Sequence, residues 1–379
     1  MRRKLVLLTE LISPYRIPVF NALASRDDVN LHVMFLSETD PSQRQWLIYK
    51  DEIRFSHEVL PSWQRRIGGY HLLWNRGVSS SLGKISPDVI VCGGYSYPAF
   101  WQAAAWARRR KIPLVLWSES TKRDRRRQHK WVERAKRKFI SACRAYIVPG
   151  KASREYLETL GVGDKPIFTA PNAVDIERFA TLAEAARAHA DEIRGVEGLP
   201  DRYFLYAGRI TREKGVFDLL EAYARLSQER RSRVGLVFVG DGAARSRLMK
   251  RAKELDGSRV IFPGFVQRDN LAKYYALADA LVLPTYSDPW GLVVNEAMAS
   301  GLPIVVSKAA GCAEDLVRHG WNGFVVRPRE VGRLAEALGS LADDRELVRL
   351  MSQRSVERIQ NFSPQICAAG LAMAAKVGV

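Results

Sequence analysis

The chain has 379 residues, 47% of them hydrophobic, which is enough for two ordinary domains that each bury a core. No apolar stretch approaches the roughly 20 residues that cross a bilayer, and the basic opening MRRKLVLLTELISPYR is broken at Thr9 and Glu10, too soon for a secretion signal, so a cytoplasmic location is expected. The net charge of +18 is uneven, with 31 Lys and Arg against 17 Asp and Glu in residues 1–180, and four scattered cysteines suggest neither a zinc site nor a disulfide framework.

In chain order, short apolar runs suited to buried parallel strands fall at 4–8, 30–36, 88–92, 113–117 and 145–149, with helical patterns between them. Between 113–117 and 145–149 lies KRDRRRQHKWVERAKRK, residues 122–138, holding ten basic residues against two acidic ones. Such a run attracts polyanions. It contains only Trp131 among its charges and no recognised nucleic-acid motif, so no nucleic acid is expected as partner.

An Ala-rich helical segment at 181–194 separates this half from a second, whose strands are expected at 203–207, 234–240, 259–263, 280–284, 303–307 and 323–326. Within GVFDLLEAYARL, Val216, Leu219, Leu220, Tyr223 and Leu226 share one helical stripe. Alternating strands and helices imply an α/β chain of two Rossmann-like, doubly wound domains, with ligands at the carboxyl ends of the strands.

Four strand ends in the second half carry unusual chemistry. YAGRITREKG sets Arg209 and Lys214 on a loop entering a helix, where cations and free amides together suit a diphosphate; solvated surface charge is the plain alternative. VGDG, with Gly240, permits close backbone approach or simply a tight turn. FPGFV offers Phe265 and Val266 to a flat ring, or to the core. SDPWGLVVNE places Asp288 in a loop and Glu296 about one turn into a helix, with backbone N–H groups at Gly291 and Leu292 between them. Carboxylates at such positions accept hydrogen bonds from sugar hydroxyls, or complement a helix dipole.

Taken together, YAGRITREKG, VGDG, FPGFV, SDPWGLVVNEAMASGLPIVVSKAAG and HGWNGFVVRP resemble the retaining, nucleotide-sugar-dependent glycosyltransferases of family 4, continuously from about Tyr203 to Pro328. PNAVDIERF resembles that family's interdomain segment. The resemblance implies the GT-B fold, two Rossmann-like domains facing across a cleft. Residues 1–175, with a crossover helix at 362–379, would form the acceptor domain, and 176–361 the nucleotide-sugar domain. It further implies that Arg209 and Lys214 hold the donor diphosphate, that Phe265 and Val266 meet the base, and that Gly240, Gly291 and Leu292 approach the phosphates or sugar. Glu296 would grip the ribose, and Asp288 would contact the transferred sugar.

Two departures from the family stand out. Asp288 occupies a position that is usually Glu, one methylene longer. The usual first-domain His is missing after the strand PLVLW, where Glu119 is the candidate substitute, against helix capping or a structural carboxylate. Ser13 is positioned to cap the first helix, and Arg16 at its start would meet an acceptor or donor phosphate, or form an interdomain ion pair. Tyr95, after Gly93 and Gly94, would line the acceptor side.

No Asp-x-Asp sequence is present, so metal-independent transfer without a cofactor is expected, from a UDP- or GDP-sugar. The basic first half, through residues 65–77 and 122–138, suggests peripheral docking on an anionic membrane and a saccharide or lipid-linked acceptor in cell-envelope or exopolysaccharide synthesis. A soluble acceptor and a catalytically silent nucleotide-sugar binder are the alternatives.

Overall fold

The computed structural model describes residues 2–39, 46–67, 70–124, 130–255 and 259–377. Two compact units are present: Met1–Val174 with Pro364–Val379, and Asp175–Ser363.

The first unit holds a seven-stranded parallel sheet in the order Ser56–Val59, Val29–Ser37, Arg3–Leu11, Val89–Cys92, Leu114–Trp117, Ala145–Val148, Ile167–Thr169. Continuous apolar runs form its centre because helices cover both faces. Leu5, Leu7, Val89 and Val91 turn to one face, packing on Phe20 of the helix Ile17–Ala24 and on Cys367 and Leu371 of the C-terminal helix Pro364–Ala372. Val6, Leu8 and Ile90 turn to the other, against Phe100 and Phe139. Buried side chains of this size each contribute about 1.5–3 kcal/mol.

Three elements went unseen in the sequence: the edge strands Ser56–Val59 and Ile167–Thr169, and the antiparallel hairpin Ser62–Ile67 with Tyr70–Asn75. Ser56–Val59 lies mostly open to solvent and carries no apolar run, and Ile167–Thr169 is only three residues long. Ser13 does not cap the first helix with its side chain; its carbonyl instead accepts the Arg16 amide at 2.9 Å.

The second unit holds a six-stranded parallel sheet in the order Val260–Gly264, Gly235–Val239, Tyr203–Ala207, Ala280–Leu283, Ile304–Ser307, Gly323–Val326. All six expected strands are present. The Ala-rich segment is two helices, Ile176–Ala188 and Ala190–Glu197, broken at His189.

In both sheets the strand order reverses beside the first strand of the unit. At such a switch point neighbouring loops leave in opposite directions and open a crevice at the carboxyl ends. In the first unit the reversal lies between Arg3–Leu11 and Val89–Cys92, followed by Arg16 and Tyr95. In the second it lies between Tyr203–Ala207 and Ala280–Leu283, followed by Lys214 and Asp288.

Candidate active site

The loops after the second unit's strands press backbone against backbone. A Cβ on Gly240 would lie 1.9 Å from the Gly208 carbonyl oxygen, and one on Gly215 would lie 2.1 Å from that of Pro284, so no other residue fits. The Ile210 amide donates to the Asp241 carbonyl at 2.8 Å, and the Tyr286 amide to that of Glu213 at 2.8 Å. Beneath them the Tyr206 hydroxyl donates to the Arg209 carbonyl at 2.7 Å. Burial, with Asp288 nearby, pushes the Tyr206 phenol well up, which keeps it a neutral donor.

This stitching brings two predicted residues together. Lys214 ends a 3-10 turn before the helix Val216–Ala224 and is buried. Its ammonium donates to Asp288 Oδ2 at 2.7 Å and to the Ser287 carbonyl at 3.3 Å. Asp288 Oδ1 accepts the Trp290 amide at 3.2 Å. Arg209 stands exposed on the same loop as Lys214.

Gly291, at φ +97°, begins the helix Leu292–Ala299 from the left-handed region. One turn on, Glu296 is 0% exposed, and its Oε2 accepts from the Tyr275 hydroxyl at 2.7 Å. Glu296 is packed beneath the helix start, whereas the Asp288 side chain keeps 19% of its surface exposed. Phe265 is 44% exposed after the third strand, which excludes the core alternative, and Val266 is half-buried.

Several contributors to this site were not singled out in the sequence. The segment Ala310–Gly311–Cys312 clamps the Asp288 turn: the Gly311 amide donates to the Asp288 carbonyl at 2.9 Å and the Cys312 amide to that of Trp290 at 3.0 Å. Trp290 Nε1 donates to Asn295 Oδ1 at 2.8 Å, locking the turn to the helix. The glycine after the strand at 304–307 was the available signal. Tyr275 gave none, because its helix pairs with Glu296 only in three dimensions.

In the first unit, Arg16 and Glu119 form an ion pair. The Arg16 guanidinium also donates to Asn172 Oδ1 at 3.2 Å and lies 3.9 Å from the centre of the Trp117 ring. These partners of Arg16, Glu119, Asn172 and Trp117, all lie in its own unit. Ser153 Oγ donates to the Glu119 carbonyl at 3.1 Å.

Tyr95 packs on Phe139 and lies under the Lys136 ammonium, 5.7 Å from its ring. Burial raises the Tyr95 phenol while Lys136 pulls it down. Lys136 is 3% exposed and donates to the Tyr156 hydroxyl, so this charge of the basic run is not on a docking face. Residues 125–129 of that run, and Gly68 and Gly69 of the other docking segment, lie outside the described residues. Among the described residues, no group of three or more His, Cys, Asp or Glu is placed to hold a metal ion, and no helix is long and apolar enough to cross a membrane.

The family model of group 1 glycosyl transferases matches residues 190–358, and that of glycosyltransferase family 4 matches residues 20–178. A glycogen synthase of Mycobacterium tuberculosis is 29% identical over 308 residues, covering 77% of this chain and 70% of the relative. The putative teichuronic acid biosynthesis glycosyltransferase TuaC of Bacillus subtilis is 27% identical over 299 residues, covering 76% of this chain and 72% of the relative. The crystal structure of Anabaena HepE in complex with UDP aligns with a TM-score of 0.78 at 20% identity, over 98% of this chain and 99% of that one. Two switch-point crevices on two parallel α/β units, and family models that between them match most of the chain, identify it as an enzyme of the GT-B fold that belongs to the family 4, group 1 glycosyltransferases.

Proposed function

We propose that this glycosyltransferase takes a sugar from a UDP- or GDP-sugar held by Asp175–Ser363 and transfers it, with retention, to a hydroxyl of a saccharide or lipid-linked acceptor held by the other unit. The observation that carries the reading is the Lys214–Asp288 pair at the switch point, with exposed Arg209 beside it and the start of the helix Leu292–Ala299 next to Asp288. HepE, crystallised with UDP, supports a nucleotide ligand at this fold.

Leaving diphosphate charge would be stabilised by Arg209, Lys214 and the amides of Gly291 and Leu292 as donors aimed at the developing charge. When the donor enters, Lys214 exchanges Asp288 for phosphate oxygens, and Asp288 becomes available to a sugar hydroxyl. Gly240 leaves room for the phosphates, while Phe265 and Val266 take the base. Glu296 reaches the ribose once the turn at 286–292 shifts to uncover it. In the other unit, the Arg16–Glu119 pair and Tyr95 would face the acceptor, with Glu119 in the place of the family's histidine. These cations supply the charge a divalent metal would otherwise bring, so transfer proceeds without metal or cofactor.

A membrane-bound acceptor is favoured by one further observation. On the hairpin, Leu73 is buried, while Trp63 is 55% and Trp74 52% exposed, opposite each other across the two strands. Leu72 and Arg65 flank them on the same face. Paired tryptophans beside a cation suit a membrane interface. TuaC, named for teichuronic acid biosynthesis, supports an envelope polymer as the product class.

Donor hydrolysis and transfer are the test. A panel of UDP-, GDP- and ADP-sugars is screened by thermal shift, then assayed with EDTA present. The reading expects one donor to raise the midpoint and to be turned over in EDTA. Loss of all turnover in EDTA, restored by magnesium, counts against the metal-free assignment, and no donor-dependent shift counts against the donor site.

A further inference from the structure

The second unit contains another cavity, of about 390 Å³, that includes none of the residues assigned to the donor. Arg212, Arg247, Arg251 and Arg329 converge on it from three separate segments. Elsewhere in this unit exposed arginines take a carboxylate one helical turn away, as Arg333 does with Glu336 and Arg349 with Glu346. Here they do not. Among the described residues none of the four forms an ion pair, although two carboxylates line the same cavity. Glu221 is bound to Arg225 at 2.7 Å, and Asp218 Oδ1 accepts from the Tyr286 hydroxyl at 2.7 Å.

Three of the guanidinium groups lie beside aromatic rings instead. Arg247 and Arg251 lie 5.8 and 5.4 Å from the centre of the Phe217 ring, and Arg329 lies 5.0 Å from that of Tyr286. Arg329 adopts φ +67°, a left-handed conformation costly for a residue with a Cβ, and in it reaches Tyr286. Arg329 also hydrogen-bonds the Tyr286 side chain, whereas Arg247 and Arg251, beside a ring and without a carboxylate, keep guanidinium N–H groups whose fork matches two oxygens of a phosphate.

We propose that this cavity is a second anion site, which binds the phosphate of a phosphate ester other than the sugar donor, with Phe217 and Tyr286 as its walls. The cavity shares loops with the donor site, since Arg212 stands two residues before Lys214 and Tyr286 two before Asp288. A phosphate ester of suitable size occurs both free, as in glycerol phosphate, and on a lipid surface, as in a phosphatidylglycerol headgroup.

The full chain is titrated calorimetrically with inorganic phosphate and with glycerol 3-phosphate, and sedimented with phosphatidylglycerol vesicles, all at about 0.1 M salt. The same is done for Arg247→Gln/Arg251→Gln, for the charge-keeping Arg247→Lys/Arg251→Lys, and for Lys214→Met. Both arginines are exposed, so the folded midpoint is expected to stay in place. The Gln pair should weaken binding at least tenfold, the Lys pair less, and Lys214→Met by no more than about twofold. Loss confined to the soluble esters assigns a free ligand, and loss confined to vesicles assigns a headgroup; either supports the site. Unchanged affinity for every probe in the Gln pair overturns it, as does an equal loss in Lys214→Met, which would mean a single donor site.

Discussion

Lys214 and Asp288, 74 residues apart, meet through a 2.7 Å ion pair that leaves both side chains largely buried. The contact exists because Gly215 lets the first loop lie on the Pro284 carbonyl. Removing one member strands the other charge. Lys214→Met should cost about 2 kcal/mol in urea unfolding and lower transfer at least a hundredfold, about 2.7 kcal/mol of barrier. Adding Asp288→Asn should recover most of the stability and none of the activity; recovered activity would show that the pair is structural only.

Tyr275 anchors the buried Glu296 carboxylate. Tyr275→Phe removes a buried hydrogen bond, worth about 1 kcal/mol. Steady-state kinetics should show a donor KM raised severalfold with kcat little changed, because the proposed ribose contact would be made equally in ground and transition states. A fall confined to kcat would place Glu296 in the chemistry instead.

Arg16 and Glu119 share one cluster over Trp117. Arg16→Gln and Glu119→Gln should therefore each depress kcat, and the double variant should be no worse than the poorer single one. If Glu119 works independently of Arg16, the two effects multiply.

Alkaline stability follows from buried neutral acids. Burial pushes the Cys143 and Cys367 thiols up to about 12, and Tyr146 and Tyr223 likewise to about 12. The unfolded chain releases these protons at lower pH than the folded one, so stability is fully present below about pH 8.5 and is lost as pH rises toward 12. The slope is about 1.4 kcal/mol per pH unit for each group titrating. Urea midpoints at pH 7 to 11 test this, and a flat profile would contradict it. All four cysteines are buried, so none should react with a thiol reagent at pH 8 until the chain is unfolded.

If the hairpin Ser62–Ile67 with Tyr70–Asn75 docks on a membrane as proposed, Trp63→Ala/Trp74→Ala should reduce binding to anionic vesicles at least tenfold while donor hydrolysis is retained. Equal vesicle binding by the double variant would remove the hairpin from the docking surface.

Strand positions in the second half were legible because a strand covered by helices on both faces must be apolar throughout, and each run is local in sequence. The same holds for Gly240, Gly291 and the cations at strand ends, whose residue types announce a turn or an anion. The edge strands at 56–59 and 167–169 were not legible, the first because an element open to solvent has no reason to be apolar, the second because three residues are too few to show a pattern. Glu119 and Arg16 were each singled out, yet read as separate sites.

Residue patterning along the chain carried the α/β alternation, the strand-end chemistry and, through the spacing of its motifs, the family. Tertiary structure alone decided who partners whom: Lys214 with Asp288, Tyr275 with Glu296, Arg16 with Glu119, and four arginines with no carboxylate. Residue type and periodicity fix a side chain's face on its own element, but pairing depends on sheet order and on backbone approaches that join residues tens of positions apart.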